Sequence, residues 1–359
     1  MIRLPRMKPL GAAAALALVA TFGLSSGAAA ASGVQLSETG STLLYPLFNE
    51  WVPVYTHTHA GVTITTQGTG SGTGISDAIN GTVNIGASDA YMSDALIKQN
   101  PNLLNIPLAI SAQQVMYNLP GVSRKVHLHL TGPILALMYE GKIKTWNNPL
   151  LKKLNPGVKL PNIPVVPVHR ADGSGDTFLF TSYLSFTTKS WANSVGFSTT
   201  VPWPNVPGSV TGIGNGGVVD QLANYQGSVG YVGVSWLDQG LKAGLGEAAV
   251  QNRAGRFLLP TNATILAAAN AQVKKTPANE RMTLIYGPGV NSYPIINYEY
   301  SIINKNQPSA SVAAALRTFL TWAVNPKDGN AAKFLVPVHF LPLPSNVLPL
   351  SLKQISEIK

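Results

Sequence analysis

Residues 169–183 place an arginine and a run of small residues directly before a predicted helix. Arg170 is followed by Asp172, Ser174 and Gly175, and apolar residues then recur at the spacing of an amphipathic helix. The first turn of a helix leaves backbone N–H groups unpaired and carries partial positive charge. A guanidinium adds a rigid set of donors that matches a tetrahedral oxyanion. These residue types in this order therefore predict an anion-binding site.

Two further segments share this design, a hydroxyl-bearing stretch that runs into a predicted helix. In residues 40–51, Ser41 or Thr42 is predicted to cap the helix. Residues 68–79 contain alternating glycines around Ser71, and glycine lets backbone N–H groups approach a ligand closely. Three helix starts, one arginine and a ring of hydroxyl groups could hold an anion, so we expect neither a metal ion nor a cofactor.

Residues 1–31 read as a secretory signal peptide. A basic start is followed by an apolar run from Leu10 to Leu24 and then by an alanine-rich exit. This run is short for a membrane span, although a retained anchor helix is the alternative interpretation. We expect the segment to be cleaved and the mature chain to be exported.

The mature chain is expected to be basic but sparsely charged. The sequence has 25 Lys and Arg against 15 Asp and Glu, and cleavage removes three basic residues, which leaves 22 against 15, or +7. The basic residues form no runs, which argues against a nucleic-acid partner. Because the sequence contains no cysteine, it has neither disulfides nor a lipid-modified cysteine for tethering. We therefore expect a soluble monomer in a periplasm or outside the cell.

The length and the pattern of the mature chain predict an α/β protein of two lobes. Roughly 325 residues exceed one ordinary core, and predicted strands alternate with predicted helices. One apolar stretch, residues 106–119, could cross between the lobes. The predicted strands cover 62–66, 83–89, 106–119, 229–234 and 293–303.

Helices and loops are predicted from proline, glycine and apolar spacing. Residues 131–146 are predicted as a helix with Pro133 in its first turn, and residues 309–324 as the last helix. A proline-rich tail begins at Val336. The stretch 202–217, rich in Pro, Asn and Gly, is interpreted as a surface loop.

Seven motifs, taken in order, resemble the phosphate-binding proteins of Pst-type ABC transporters, which have the type II periplasmic-binding-protein fold. The motifs are Ser41 to Thr42, Gln67 to Ser71, Gly86 to Asp89, Gly141 to Trp146, Leu154 to Gly157, Arg170 to Gly175 and Phe180 to Tyr183. The resemblance covers nearly the whole mature chain and implies two α/β lobes joined by two crossover strands, with the ligand cleft between them. The implied bounds are 32–112 plus 298–359 for lobe 1 and 113–297 for lobe 2.

The resemblance also implies which residues contact inorganic phosphate. Those of lobe 1 would be Ser41, Thr42, Leu43, Ser71 and Asp89. Those of lobe 2 would be Arg170, Ser174, Gly175 and the backbone N–H of Asp176, while Asp172 would hold the arginine in place. Many relatives have threonine or serine where this chain has Asp176, so its carboxylate is either a second acceptor for a protonated ligand or a helix-start residue favoured by the macrodipole.

The implied function is high-affinity binding of phosphate by hinge closure and its delivery to membrane permease subunits. Asp89 supports phosphate over sulfate, because phosphate near neutral pH carries a proton that a carboxylate can accept and sulfate does not. Sulfate would leave the carboxylate unpaired, at a cost of about 1 to 3 kcal/mol or more. A site that uses a ligand hydroxyl can reject the analogue lacking it by about 10⁴-fold.

Other functions have less support in the sequence. A receptor for arsenate remains possible, because arsenate carries the same proton. A secreted phosphatase could use Ser71 or Ser174 as its nucleophile, but the sequence has no G-x-S-x-G elbow and no H-E-x-x-H motif, so we expect no enzyme. His57 and His59 alternate without a nearby pair of carboxylates, which does not favour a metal site.

Overall fold

Strands and helices alternate along the described chain, residues 33–359, in the computed structural model of the protein. The predicted signal peptide, residues 1–31, lies outside the described residues. The α/β class is confirmed by the order of the elements. A membrane span would require a longer apolar helix than any found within residues 33–359.

The sheet strands are β1 (Val34–Gly40), β2 (Val62–Thr65), β3 (Ile85–Ser88), β4 (Leu103–Tyr117), β5 (His129–Leu130), β6 (Val166–Arg170), β7 (Val210–Gly212), β8 (Ser228–Gly233), β9 (Gly246–Gln251), β10 (Phe257–Leu258) and β11 (Ile296–Asn304). The α-helices are α1 (Tyr45–Thr58), α2 (Ser71–Asn80), α3 (Asp94–Gln99), α4 (Gly132–Tyr139), α5 (Pro149–Leu154), α6 (Gly175–Thr187), α7 (Lys189–Ser194), α8 (Gly214–Asn224), α9 (Leu237–Lys242), α10 (Asn262–Asn270), α11 (Ala310–Val324), α12 (Ala332–Leu335) and α13 (Leu348–Ser356).

Strand β4 joins the two halves of a mixed sheet whose main path has the order β2-β1-β3-β11-β4-β8-β6-β7. Nine of its first ten residues pair antiparallel with β11, with Leu108 skipped at a register shift, and its last five pair with β8. All fifteen are buried, which agrees with the largely apolar character of the segment. The predicted strand at 106–119 is thus confirmed, and it passes from one half of the sheet into the other.

The carboxyl ends of β1, β3 and β6 all lead into segments that carry predicted site residues. Strands β1 and β3 are parallel to each other, and β6 is parallel to β8. The antiparallel pairings through β11 and β4 make β6 opposite in direction to β1 and β3, so the carboxyl ends of β1 and β3 point toward that of β6. Helix α1 follows β1, α2 follows β2 and α6 follows β6. Ligands of open α/β sheets bind at such positions.

Two predictions about the helices are wrong. The helix expected over 131–146 ends at Tyr139, because Gly141 takes a left-handed φ of 68° that stops the helix. Pro133 does lie in its first turn, as predicted. The helix 309–324 is correct as α11 with Ser309 as its cap, but it is not the last one: the proline-rich tail contains α13, with Pro349 in its first turn.

Helix α6 is not amphipathic, contrary to the expectation for residues 169–183. Its first three residues and the run 179–184 are all buried. It packs between α4, α7 and the strands β4 and β8, so that little of its first two turns reaches solvent. Its N-terminus is therefore enclosed by protein.

Glycines let α2 lie directly against β1 and β3, which fixes the start of α2 at the sheet edge. A Cβ on Gly86 would meet the carbonyl oxygen of Gly74 at 2.2 Å, and one on Gly74 would meet that of Ala87 at 2.5 Å. Both contacts are with backbone, which cannot rotate away. Side chains at these positions would push α2 off the sheet.

We expect Gly86→Ala to lower the free energy of unfolding by about 1 to 3 kcal/mol, because the added methyl group overpacks the contact between α2 and β3. The matched control is Gly217→Ala within α8, where the nearest atom to a new Cβ is 3.4 Å away. That change should be neutral or should stabilise by up to about 1 kcal/mol, since alanine is the better helix former. Urea denaturation of both variants measures the difference, and equal stabilities would contradict the packing analysis.

Candidate functional site

The segment between β1 and α1 is held by the hydroxyl of Ser41. Its Oγ accepts hydrogen bonds from the N–H groups of Leu43 at 3.1 Å and Leu44 at 2.9 Å, and it donates to Asp89 Oδ1. Helix α1 begins only at Tyr45, so neither Ser41 nor Thr42 is its N-cap, contrary to expectation. Ser41 instead orders the preceding turn and ties it to Asp89.

Asp89 follows β3 directly and is buried at 2 % exposure. Ser71 Oγ, at the start of α2, donates to Asp89 Oδ2 at 3.2 Å and accepts from its backbone N–H at the same distance. Burial raises the pKa of Asp89, while hydrogen bonds from Glu299, Ser41 and Ser71 and the charge of Arg170 oppose that rise. The carboxyl of Asp89 thus accepts hydrogen bonds from two serine hydroxyls, those of Ser41 and Ser71.

Arg170 ends β6 and has a side chain that is 1 % exposed. Its Nε donates to Asp172 Oδ1 at 2.7 Å, a second nitrogen pairs with Asp172 Oδ2, and NH1 donates to Asp176 Oδ2 at 2.9 Å. Burial lowers the pKa of Arg170, but the bond to Asp172 and the charges of both aspartates outweigh it and keep the guanidinium charged. The structure therefore brings Asp172 and Asp176 together on one arginine.

Asp176 lies in the first turn of α6 and is fully buried. Besides Arg170, its carboxyl accepts from Asn215 Nδ2 at 2.7 Å and from Gln113 Nε2 at 3.1 Å. Burial, followed by the charge of Asp89, raises the pKa of Asp176 to about 7, and Arg170, Gln113 and Asn215 oppose the rise. Its carboxyl faces the interior instead of the solvent that a helix-start residue commonly faces.

The start of α6 lies in contact with the start of α2. Ser174 is the N-cap of α6, with its Oγ accepting from the N–H of Thr177 at 3.2 Å. A Cβ on Gly175 would come within 2.4 Å of Asp89 Oδ2 and 2.6 Å of Ser71 Oγ. Only glycine fits here, so the free N–H groups of α6 face the hydroxyl and the carboxyl of the opposite half.

Thr42 and Leu43 also contact the opposite half of the sheet. Thr42 Oγ1 accepts from the backbone N–H of Asn215 at 3.1 Å and from its Nδ2 at 3.0 Å. Trp236 Nε1 donates to the carbonyl of Thr42 at 2.8 Å, and Ser235 Oγ donates to that of Leu43 at 2.7 Å. The residues that the resemblance implies for the phosphate site therefore lie within one contiguous cluster.

Three buried residues of this cluster escaped the sequence analysis: Gln113, Asn215 and Glu299. Asn215 falls in the stretch 202–217, which was interpreted as a surface loop, yet it is fully buried at the start of α8. Its glycine-rich context before two valines repeats the pattern of residues 68–79 and could have revealed it. Gln113 and Glu299 lie inside strands, where no local signal distinguishes them.

The cluster suits a small oxyanion that carries its own proton. It offers a guanidinium, hydroxyl groups and the N–H groups of helix starts as donors, together with the buried carboxyls of Asp89 and Asp176 as acceptors. A fully deprotonated anion would face these carboxyls without a proton to share. Within residues 33–359, no three His, Cys, Asp or Glu side chains are grouped so that they could hold a metal ion.

Comparisons with known proteins show the family and the fold of the chain. The PBP superfamily domain matches residues 26–327. The phosphate-binding protein PstS of Methanocaldococcus jannaschii is 33% identical, with 91% of this chain and 87% of that protein aligned. PstS of Pasteurella multocida is also 33% identical, over 92% and 91%. The solved phosphate-binding protein of Stenotrophomonas maltophilia has a TM-score of 0.67 at 17% identity, covering 89% of this chain and 94% of that one.

Several carboxyl groups away from the cluster are buried as well, which links stability to pH. Glu38 in β1 accepts a hydrogen bond from Thr66, but no donor within the described chain reaches its Oε1. Burial raises the pKa of Glu38 to about 8 and that of Glu280 to about 8. Both groups keep a proton in the folded state that they release near pH 4.5 in the unfolded chain.

We therefore expect the free energy of unfolding to fall as pH rises from about 4.5 to about 8, by up to about 1.4 kcal/mol per pH unit for each such group. Glu38→Gln should flatten this slope, because the amide still accepts from Thr66 and does not ionise. Urea denaturation of wild type and variant at pH 5 and pH 8 tests this. Parallel slopes for the two proteins would show that Glu38 is ionised in the fold.

Proposed function

We propose that this chain, which belongs to the Pst-type phosphate-binding proteins of the PBP superfamily, binds inorganic phosphate outside the cytoplasm and delivers it to an ABC permease for import. One observation carries the proposal. Asp89, a buried carboxyl, lies against the start of α6 and close to a buried arginine. A carboxylate among anion-binding donors can form a hydrogen bond with the anion only if the anion carries a proton.

The proposed phosphate site spans both halves of the sheet. Its residues are Ser41, Thr42, Leu43, Ser71 and Asp89 on one side and Arg170, Ser174, Gly175 and Asp176 on the other, with Asp172 orienting Arg170. Hydrogen bonds that cross between the halves support this site, such as the one from the N–H of Gly72 to the carbonyl of Gly173 at 2.9 Å. The halves correspond to the proposed lobes, 32–112 plus 298–359 and 113–297.

Closure of the lobes around the anion is the proposed binding mechanism. Either lobe alone presents part of the donor set, and the contact of Thr42 with Asn215 completes the site as the lobes meet. Exclusion of water strengthens each charge-assisted hydrogen bond to the ligand. The permease subunits would then recognise the closed form, in which surfaces of both lobes have a fixed relative position.

Asp176 is proposed as a second acceptor for phosphate. Its full burial and its bonds to Asn215 and Gln113 support this role over that of a helix-start residue facing solvent. Its raised pKa means that it exchanges a proton easily near neutral pH. Asp176 can thus accept a bond from a phosphate hydroxyl or, when protonated, donate one to a phosphate oxygen.

We propose a binding protein and not an enzyme. The relatives described above are named as binding proteins. In the described chain, Ser71 and Ser174 form hydrogen bonds to Asp89 and to a backbone N–H, and neither bonds a histidine that could activate it. We also propose that the chain is exported and acts as a soluble monomer.

Calorimetric titration of the phosphate-stripped mature chain tests the function. We expect tight one-to-one binding of phosphate, and of arsenate in competition with it, and an affinity for sulfate that is lower by at least about 10⁴-fold. The absence of heat with phosphate, or sulfate binding within tenfold of phosphate, would contradict the proposal.

Asp89→Asn should lower the affinity for phosphate by about 10- to 100-fold and reduce the discrimination against sulfate. The asparagine amide can donate to a sulfate oxygen, whereas the carboxylate cannot. Asp220→Asn, an exposed site on α8, removes the same charge and serves as the control. If Asp89→Asn behaved like that control for both anions, Asp89 would not be the acceptor.

A further inference from the structure

Glu299 is a fully buried acid directly behind the proposed phosphate site. It lies in β11 at a point where the pairing with β4 shifts register between Glu299 and Tyr300. Its Oε1 accepts from Ser111 Oγ at 2.5 Å and from Asn297 Nδ2 at 2.9 Å. Within the described chain, no donor reaches its Oε2. A buried polar atom without a donor is costly, so its surroundings require an explanation.

Glu299 and Asp89 are both buried, and Asn297 Nδ2 donates to Glu299 Oε1 at 2.9 Å. A hydrogen bond between the two carboxyls raises the pKa of Glu299 and lowers the pKa of Asp89. Such a bond requires one proton, because two carboxylates have none to donate. A proton on Glu299 Oε2 would also explain why no donor within the described chain reaches that oxygen. Asn297 reinforces the pair, since its Nδ2 also approaches the backbone carbonyl of Asp89 at 3.4 Å.

The surroundings of the two groups decide which of them keeps the proton. Asp89 accepts from Ser41 and Ser71 and lies near the positive charge of Arg170, all of which favour its ionised form. Glu299 has two neutral donors and the negative charge of Asp89 beside it. Burial, followed by that charge, raises the pKa of Glu299 well above its ordinary value. The proton therefore belongs to Glu299.

We infer that Glu299 is a positioning residue for phosphate: a neutral carboxylic acid that donates its proton to Asp89 and keeps Asp89 a singly charged acceptor oriented toward the ligand. This inference rests on the proposed phosphate function. It assigns a role to an acid that lies outside the seven sequence motifs. It also predicts that phosphate affinity falls at alkaline pH for a reason that the direct contacts to phosphate would not predict.

The pH limit arises when Glu299 ionises. Two adjacent buried carboxylates would then face an anionic ligand, and binding would require Glu299 to take up a proton again. The other charged groups at this place are Asp176 on α6 and Arg170 on β6. The partners of Glu299 on β4 and β11, Ser111 and Asn297, are neutral. An alkaline decline of affinity thus contains contributions from Glu299, Asp176 and the ligand.

Two substitutions at Glu299 separate its proton from its bulk. In Glu299→Gln, the amide N–H can replace the donated proton and does not ionise. In Glu299→Leu, the side chain fills similar space and donates nothing. Glu280→Gln is the matched control, because Glu280 is an equally buried acid whose carboxyl bonds Ser351 and Gln354, outside the site.

Phosphate affinities of these variants and of wild type are to be measured by calorimetry from pH 6 to pH 9.5. We expect the phosphate affinity of Glu299→Gln to lie within about threefold of wild type at pH 7. Above pH 7 this variant should lose affinity more gradually, because its binding is coupled to the uptake of about one proton fewer. Glu299→Leu should bind about tenfold more weakly or worse at pH 7. The Glu280→Gln profile should match wild type.

The outcomes separate this inference from the proposed function. If wild type binds no phosphate, the function itself is wrong. If wild type binds phosphate but Glu299→Gln has the same alkaline slope, or Glu299→Leu binds as well as wild type, the function stands and the role of Glu299 is overturned.

A measurement on the unsubstituted glutamate covers the case in which the variants do not fold. In protein labelled with ¹³C at glutamate carboxyls, comparison with Ser111→Ala identifies the resonance of Glu299 through its lost hydrogen bond. A shift typical of a neutral acid at pH 7 supports the inference. A shift typical of a carboxylate overturns it.

Discussion

The burial of carboxyl groups beside a single arginine is the constraint on which the site depends. Asp89, Asp176 and Glu299 are each nearly or fully removed from solvent, and Arg170 is the buried cation whose charge acts on Asp89 and Asp176. Charges in such surroundings persist only when they are paired or share protons. The cluster meets this condition with donors from serine, asparagine and glutamine side chains and with a proton between Asp89 and Glu299. An anion that brings its own proton fits this chemistry, whereas a proton-free anion does not.

The fold serves this constraint by bringing strand ends and helix starts from two halves of one sheet to the same place. Strand β4 runs through both halves, and β11 pairs with it to form the link between them. Glycines then allow the opposing segments to touch, most closely where Gly175 lies against Asp89 and Ser71. Each half thus holds a rigid part of the site, and the contact between the halves completes it.

The sequence was most informative where chemistry and local structure coincide. The glycine- and hydroxyl-rich segments at 40–51, 68–79 and 169–183 were recognisable because helix starts require such residues, and the structure places all three together. Asp172 was identified through the family resemblance, as the partner of Arg170. Glu299 was not, because an acid between two tyrosines of a strand can face either side until the register of β11 against β4, and its shift at Glu299, are known. The end of α4 could not be predicted because it is set by the left-handed conformation of Gly141. Helix α13 was not predicted because the prolines near its start suggested an irregular tail.

A crystal structure of the mature chain with phosphate at neutral pH is the most direct measurement of the central claim. We expect one phosphate between the two halves of the sheet, with one oxygen within hydrogen-bond distance of the carboxyl of Asp89 and others bonded to Arg170 and to the N–H groups at the start of α6. A phosphate bound elsewhere, or one whose oxygens contact Arg170 but keep away from Asp89, would contradict the claim that the ligand's own proton is recognised.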